Sequence, residues 1–330
     1  MHHRFLLNRM GILTTALLLL AGIARAAESS NPYVGNWALT IPGGAAGWLG
    51  VTESDGKLAA SLLWGGGSVL PVNDVKLVGN QLVVTRLTGK GKDRIPETIT
   101  ASRDGDALKL TTVKTRPDDS TFDKAEFTGK LTPPLPPAPD LAKVKLGEPI
   151  RLFNGQNLDG WELTNPQAAN GWSVTDGVLT NTVVTTGKPR KHFGNLRTVK
   201  EFEDFNLTLE TNVPKGGNSG IYLRGIYEVQ VVDSFGKPID PHNMGAIYSR
   251  IAPSEAVEKP AGQWQTFDIT LVDRHVTVIL NGKKIIDNRP LLGCTGGALW
   301  SDQLRPGPIY LQGDHTGANY RNIVLRPVVK

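Results

Sequence analysis

Asn218-Ser-Gly-Ile-Tyr-Leu-Arg-Gly-Ile-Tyr-Glu-Val-Gln-Val-Val-Asp233 alternates apolar and polar residues as two half-buried strands do. Its polar positions are Tyr222, Arg224, Glu228 and Gln230, with Asp233 at the end. A face that needs only solubility carries Lys, Thr and Ser. This one carries hydrogen-bonding groups suited to a polyhydroxylated ligand, and carboxylates able to move protons. Register decides which of them share a face, because a one-residue slip exchanges the two faces. A two-residue loop at Gly225-Ile226 pairs Leu223 with Glu228 and mixes core with polar positions. A three-residue loop over 225–227, or a bulge of equal effect, pairs Arg224 with Glu228 and Tyr222 with Gln230. The second register is preferred, since Ile221, Leu223, Val229 and Val231 then form one apolar face. It implies an Arg224–Glu228 pair that keeps Glu228 ionised. The alternative for these two residues is a plain surface ion pair, worth ~0–1 kcal/mol. Asp233 has apolar parity and joins the polar set only if the strand ends or twists there.

The flanking segments read the same way. Asn206-Leu-Thr-Leu-Glu-Thr-Asn212, Trp264-Gln-Thr-Phe-Asp-Ile-Thr-Leu-Val272, His275-Val-Thr-Val-Ile-Leu280, Pro308-Ile-Tyr-Leu-Gln312 and Ile323-Val-Leu-Arg326 are strand candidates. Asn281-Gly282 is a type I′ hairpin signal, because that turn needs two positive φ angles. No segment sustains a 3.6-residue period, so the expectation is an all-β, two-sheet sandwich with little helix.

Upstream, Thr132-Pro-Pro-Leu-Pro-Pro-Ala-Pro139 opens a proline-rich linker over 132–147 that cannot be helix. Before it, residues 31–131 carry short strands at even spacing, divided by Gly, Asp and Asn. That pattern predicts a small all-β module, barrel or sandwich, of unassigned role. The first 26 residues read as an export signal. Arg4 and Arg9 precede the apolar run 11–23, and Ala24-Arg25-Ala26 has the small-x-small form of a cleavage site. The run falls short of the ~20 residues of a membrane span. No later apolar run is long enough, so no integral membrane segment is expected after cleavage. A retained, uncleaved anchor is the alternative. Cleavage drops the formal charge from +5 to +2, since Arg4, Arg9 and Arg25 leave and no acid does. With no basic block interleaved with aromatics, nucleic acid is not an expected partner. The expected location is periplasmic or extracellular. Cys294 is alone, forms no internal disulfide, and reads as a small buried residue.

Chemistry-bearing residues recur near the C-terminus. A strand ends at Gln312, and Gly313-Asp314-His315 turns after it. His315 there is a candidate proton acceptor. Neighbours in sequence seldom bond each other well, so Asp314 either holds His315 or caps the turn. Trp300 sits in a loop and either fills core or stacks on a sugar ring. No His-x-His or Glu-x-x-His spacing marks a transition-metal site. A divalent cation held by Glu228, Asp233 and substrate oxygens is compatible with the residues. No nucleophile elbow, phosphate loop or dinucleotide fingerprint occurs.

Several of these stretches together resemble one family. They are Arg151-Leu-Phe-Asn-Gly-Gln-Asn-Leu-Asp-Gly-Trp161, Asn218-Ser-Gly-Ile-Tyr-Leu-Arg224, Tyr227-Glu-Val-Gln-Val-Val-Asp-Ser234, Gly245-Ala-Ile-Tyr248, Gly262-Gln-Trp-Gln-Thr-Phe-Asp268 and Gly307-Pro-Ile-Tyr-Leu-Gln-Gly-Asp-His315. In this order they look like the 3-keto-disaccharide hydrolase domain, over 148–330. The resemblance implies a concanavalin-like jelly roll and cleavage of glycosides already oxidised at C3, a lyase/hydratase activity in some members. Carried over by residue, it implies catalytic roles for His315, Glu228 and Asp233. It implies substrate contacts for Tyr222, Arg224, Gln230, Gln312 and Arg321, and Trp300 joins these from its loop. The sequence departs from the family at Asp314-His315-Thr316-Gly317, where many relatives read His-Gly directly.

The chemistry suits these residues. A ketone at C3 acidifies the C2 proton, and the C1 oxygen is then placed to leave. The elimination needs a base near C2, a stabiliser for the enolate oxygen and an acid for the leaving oxygen. Water adding back gives net hydrolysis. His315 or Glu228 is the base, and Arg224 or a cation holds the enolate. Two other classes explain the same features: a non-catalytic, lectin-like carbohydrate-binding module, and an extracellular scaffold or adhesion protein.

Overall fold

Strand alternation builds the N-terminal module. In Ile95–Asp104 the residues Glu97, Ile99 and Ala101 turn inward while their neighbours stay nearer solvent. The computed structural model describes residues 31–89, 91–183 and 192–329. The export segment 1–26 lies outside the described residues. Among those described, the strands form three sheets of nine, nine and five strands. Helix is limited to two 3-10 turns, Gly91–Asp93 and Leu141–Lys143.

The first sheet is an antiparallel meander whose first and last strands, Gly35–Thr40 and Thr121–Leu131, pair with each other. It curls around Trp37, Leu39, Leu49, Leu82, Ile99 and Leu110. The other two sheets make the concanavalin-like jelly-roll sandwich. The larger centres on Phe205–Asn212, Gln265–Val272, His275–Leu280 and Ala318–Val329. The smaller runs Trp161–Leu163, Leu196–Thr198, Tyr310–Leu311, Asn218–Leu223, Tyr227–Val232. Leu207, Leu209, Ile269, Val278 and Leu325 of one sheet face Ile221, Val229, Val231 and Leu311 of the other across a shared core. Burying one such aliphatic side chain is worth roughly 1.5–3 kcal/mol. The Asn281-Gly282 turn has both φ angles positive, 51° and 80°, as the hairpin signal requires.

The barrel and the sandwich share packing. Ala46, Trp48 and Leu63 belong to the sandwich's core cluster. The Trp48 indole N–H donates to Leu292 O at 2.9 Å, and the Arg250 guanidinium lies 4.4 Å above its ring. Cys294 is buried there, and burial pushes its thiol up to about 11. The proline-rich segment lies along the sandwich, where Arg274 donates to Pro133 O and Pro134 O and Asn288 to Pro139 O.

Candidate active site

One rung of residues crosses the five-stranded sheet. Register pairs Glu162 with Arg197, Arg197 with Tyr310, Tyr310 with Tyr222, and Tyr222 with Glu228. Side chains alternate along each strand, so the whole rung points away from the core. The next rung brings Gly220 opposite Gln230.

The hairpin register differs from the sequence expectation. Tyr222, not Arg224, pairs with Glu228, and Gly220, not Tyr222, pairs with Gln230. The loop is Arg224-Gly225-Ile226, in which Arg224 (φ 55°) and Gly225 (φ 68°) are left-handed, so Arg224 leaves the strand. Its buried guanidinium donates to Gln303 O at 2.7 Å and to Arg305 O. It ties down residues 303–305 and forms no pair with Glu228. The expected ion pair that would keep Glu228 charged is therefore absent, and the enolate role read for Arg224 loses its geometry.

Glu228 instead lies inside the sheet's polar face at 3% exposure. Gly220 makes the room, since a Cβ there would stand 2.4 Å from Glu228 Oε1. Burial pushes the carboxyl up to about 8, while the Tyr222 hydrogen bond and the His315 charge pull it down and Asp314 pushes it up. The Tyr222 hydroxyl has one hydrogen, with Gly296 O at 2.7 Å, Glu228 Oε2 at 2.9 Å and the Tyr310 hydroxyl all in reach. Tyr310, stacked on Tyr222 at 3.9 Å, spends its hydrogen on Gly297 O at 3.1 Å. A carbonyl only accepts. With its hydrogen on Glu228, Tyr222 steadies the carboxylate and pulls the carboxyl down; with it on Gly296 O, the bond to Glu228 needs a proton on the carboxyl.

His315 acts on Glu228 from the loop after Tyr310–Leu311. Its Nδ1 lies 2.6 Å from Asp314 Oδ1, so of the two sequence alternatives Asp314 holds His315. The ring is half-exposed. Thr316 exchanges hydrogen bonds with the Asn218 backbone and so fixes this loop to the hairpin. Beside it, Gln312 Oε1 and Asn218 Oδ1 are buried with no partner. Two buried acceptors with no partner among the described residues complement hydroxyl hydrogens.

The remaining candidates fall elsewhere or are occupied. The strand ends at Val232, and Asp233 Oδ2 accepts from the Gly216 N–H at 2.9 Å, which fixes the turn rather than meeting Glu228. Gln230 Oε1 accepts from the Val231 N–H. Trp300 packs against the core with the Arg305 guanidinium 3.8 Å over its ring, so no open platform remains on that face. Arg321 lies in the opposite sheet, bonded to Glu210 at 2.6 Å and 4.0 Å over Trp264. The donor set proposed for a divalent cation does not assemble, because Asp233 is turned to Gly216 and Glu228 sits under Tyr222. Among the described residues no group of three or more His, Cys, Asp or Glu side chains is placed to hold a metal.

Sequence reasoning passed over Tyr310, Gly220, Asn218 and the Gly296-Gly297 carbonyls. Tyr310 shares parity with Gln312, and that signal was available. The carbonyls come from a distant loop and had none.

Residues 148–326 match the model of the 3-keto-alpha-glucoside-1,2-lyase-like domain. A 3-keto-disaccharide hydrolase of Bacteroides thetaiotaomicron is 24% identical over 166 residues, which is 42% of this chain and 57% of that protein. The chain thus spans little more than half the length of this curated relative. A candidate glycosyl hydrolase of Parabacteroides distasonis is similar at 30% identity, over 60% of this chain and 94% of that one, with a TM-score of 0.45. A second from the same organism is 27% identical over 55% of this chain and 100% of that one, with a TM-score of 0.41. With more than half its length inside the matched region, this chain belongs to the 3-keto-alpha-glucoside-1,2-lyase-like domain family.

Proposed function

We propose that the jelly roll over 148–330 cleaves 3-keto-glycosides by elimination and hydration, with His315 as base and Glu228 as acid. The observation that carries this reading is Glu228 buried under Tyr222 on the sheet's polar face, its carboxyl pushed up by burial, with the half-exposed His315 on the loop that Thr316 ties to the same hairpin. His315, oriented by Asp314, takes the C2 proton. The C2–H electron pair enters the enolate of the C3 ketone and then forms the C1=C2 bond. The C1–O bond breaks, and the leaving oxygen takes the Glu228 proton. Water then adds across the double bond, its oxygen to C1 and a proton to C2, which restores both side chains and gives net hydrolysis. The orphaned oxygens of Gln312 and Asn218 receive sugar hydroxyls. The names of the family and of the curated relative support the substrate class. Export to the periplasm or beyond, read from residues 1–26, belongs to the same proposal.

The test is incubation of the mature protein with a 3-keto-glucoside while the unsaturated ketone is followed by absorbance. Turnover supports the enzyme. The orphaned acceptors also fit a lectin-like module, and saturable sugar binding with no turnover of any keto-sugar would favour it.

A further inference from the structure

The junction of barrel and sandwich carries a serine, a histidine and a carboxylate in contact, none of them part of the Glu228–His315 site. Ser68, between Lys57–Trp64 and Leu70–Pro71, has its Oγ 2.9 Å from His242 Nε2. The other ring nitrogen, Nδ1, lies 2.5 Å from Asp240 Oδ1. Hydroxyl, imidazole and carboxylate therefore stand in one line, with the carboxylate fixing which nitrogen faces the serine. The alignment is held on both sides. Asp240 Oδ1 also accepts from the His242 backbone N–H at 2.9 Å, and the Tyr248 ring meets the imidazole edge-on at 5.0 Å. On the barrel side the Val69 N–H donates to Ser249 Oγ at 2.6 Å, and Gly65 O accepts from the Gly297 N–H at 3.3 Å.

Ser68 follows three glycines, Gly65-Gly66-Gly67. Gly65 (φ 68°) and Gly67 (φ 90°) are left-handed, a path closed to most side chains. Among the described residues, the N–H groups of Gly66 and Ser68 have no acceptor. The nucleophile's own N–H and that of the residue two before it are a pair able to receive an oxyanion. Gly66, Gly67 and Ser68 border a cavity of about 1010 Å³ in the barrel mouth, lined also by Trp64, Asn73, Arg86, Thr112 and Lys114. Its floor is polar. Glu97, 2% exposed, accepts from Arg86 at 2.8 Å and from Thr112 at 2.7 Å. A volume of this size suits a small organic ligand, and the lining suits a polar one.

We propose that Ser68, His242 and Asp240 form a nucleophilic triad that hydrolyses short acyl esters of a polyhydroxylated alcohol. Ser68 Oγ bonds to the acyl carbon while His242 Nε2 takes its proton. The ester C–O bond breaks, and the alkoxide takes that proton from His242. Water, deprotonated by His242, then attacks the acyl-serine, and carboxylic acid and free Ser68 are released.

The test uses the mature full chain. It is treated with a fluorophosphonate that esterifies activated serines, and the adduct is located by peptide mass spectrometry. In parallel, p-nitrophenyl acetate hydrolysis is measured for the wild type, Ser68→Ala and His242→Ala. The expected result is an adduct on Ser68 and an ester rate that falls ~100-fold or more in each variant. The wild-type adduct needs no variant to fold. If Ser68 only latches barrel to sandwich, no adduct forms there. An unlabelled Ser68, or an ester rate that survives Ser68→Ala, overturns the proposal.

Discussion

The Tyr222 hydroxyl and the Glu228 carboxyl meet at 2.9 Å across the hairpin, and the single tyrosine hydrogen is already wanted by Gly296 O at 2.7 Å. The carboxyl must bring its own proton for every bond to be made. When Glu228 ionises, Tyr222 turns its hydrogen to the carboxylate and the Gly296 carbonyl loses it. Burial favours the neutral carboxyl, and the Tyr222 hydrogen bond opposes it by steadying the charged form.

Removing the hydroxyl should raise the carboxyl further. Tyr222 stabilises the charged form of Glu228, so Tyr222→Phe leaves burial less opposed. The alkaline limb of the pH–rate profile, where the Glu228 proton is lost, should move to higher pH. Gly296 O also loses its donor, at a stability cost of about 1–3 kcal/mol. Keto-glycoside kinetics across pH, beside urea melts, check both parts. A limb that moves down would contradict the first.

Gly220 is the space in which the carboxyl sits. Gly220→Ala places a methyl 2.4 Å from Glu228 Oε1, and the surrounding side chains are tightly packed. The acid must shift, with overpacking that costs about 1–3 kcal/mol. Cleavage should fall at least ~10-fold while the far-ultraviolet spectrum stays strand-like, since even small displacements of a reacting group are expensive. Wild-type kinetics in this variant would mean that Glu228 does not need its position.

Stability should carry the same signature. The folded pKa of Glu228 is raised, from 4.5 to about 8. Between those values the folded chain holds a proton that the unfolded chain has released. Glu228's contribution is therefore present below 4.5 and lost as pH rises toward 8. Glu228→Gln cannot ionise, so the difference in melting temperature between variant and wild type should grow in the variant's favour across that interval. A constant difference would show that Glu228 titrates normally.

The two arginines should separate cleanly. Arg321 sits on the other sheet with Glu210, so Arg321→Ala should leave keto-glycoside cleavage within about twofold. Arg224 is buried and caps Gln303 O and Arg305 O. Arg224→Ala should cost about 1.5–3 kcal/mol of stability for each bond left unmade. Equal kinetic losses in both variants would place Arg321 at the site after all.

Much of the fold was legible because its signals are local. Alternation in 206–212 and 218–232, and the Asn281-Gly282 turn, fix strands and faces without reference to the rest of the chain. The acid and the imidazole were legible too, as unusual residues on a strand face and on a strand-end loop. The turn at Arg224 was not. A left-handed arginine is strained on its own, and the carbonyls that hold it lie about eighty residues away. The same limit hid the Gly296-Gly297 carbonyls, which accept from the two stacked tyrosines beside Glu228. Arg321 was misplaced for the opposite reason. It follows the His315 loop closely in sequence, but the strand after that loop belongs to the other sheet.

The most direct measurement is the pH dependence of kcat/KM for a 3-keto-glucoside, because it reports the free enzyme's acid and base. The expected profile falls as pH rises through about 8, as the Glu228 proton is lost, and that limb disappears with Glu228→Gln along with ~100-fold or more of the rate. A profile that instead climbs through the same region, or a Glu228→Gln enzyme as fast as the wild type, would contradict Glu228 as the acid.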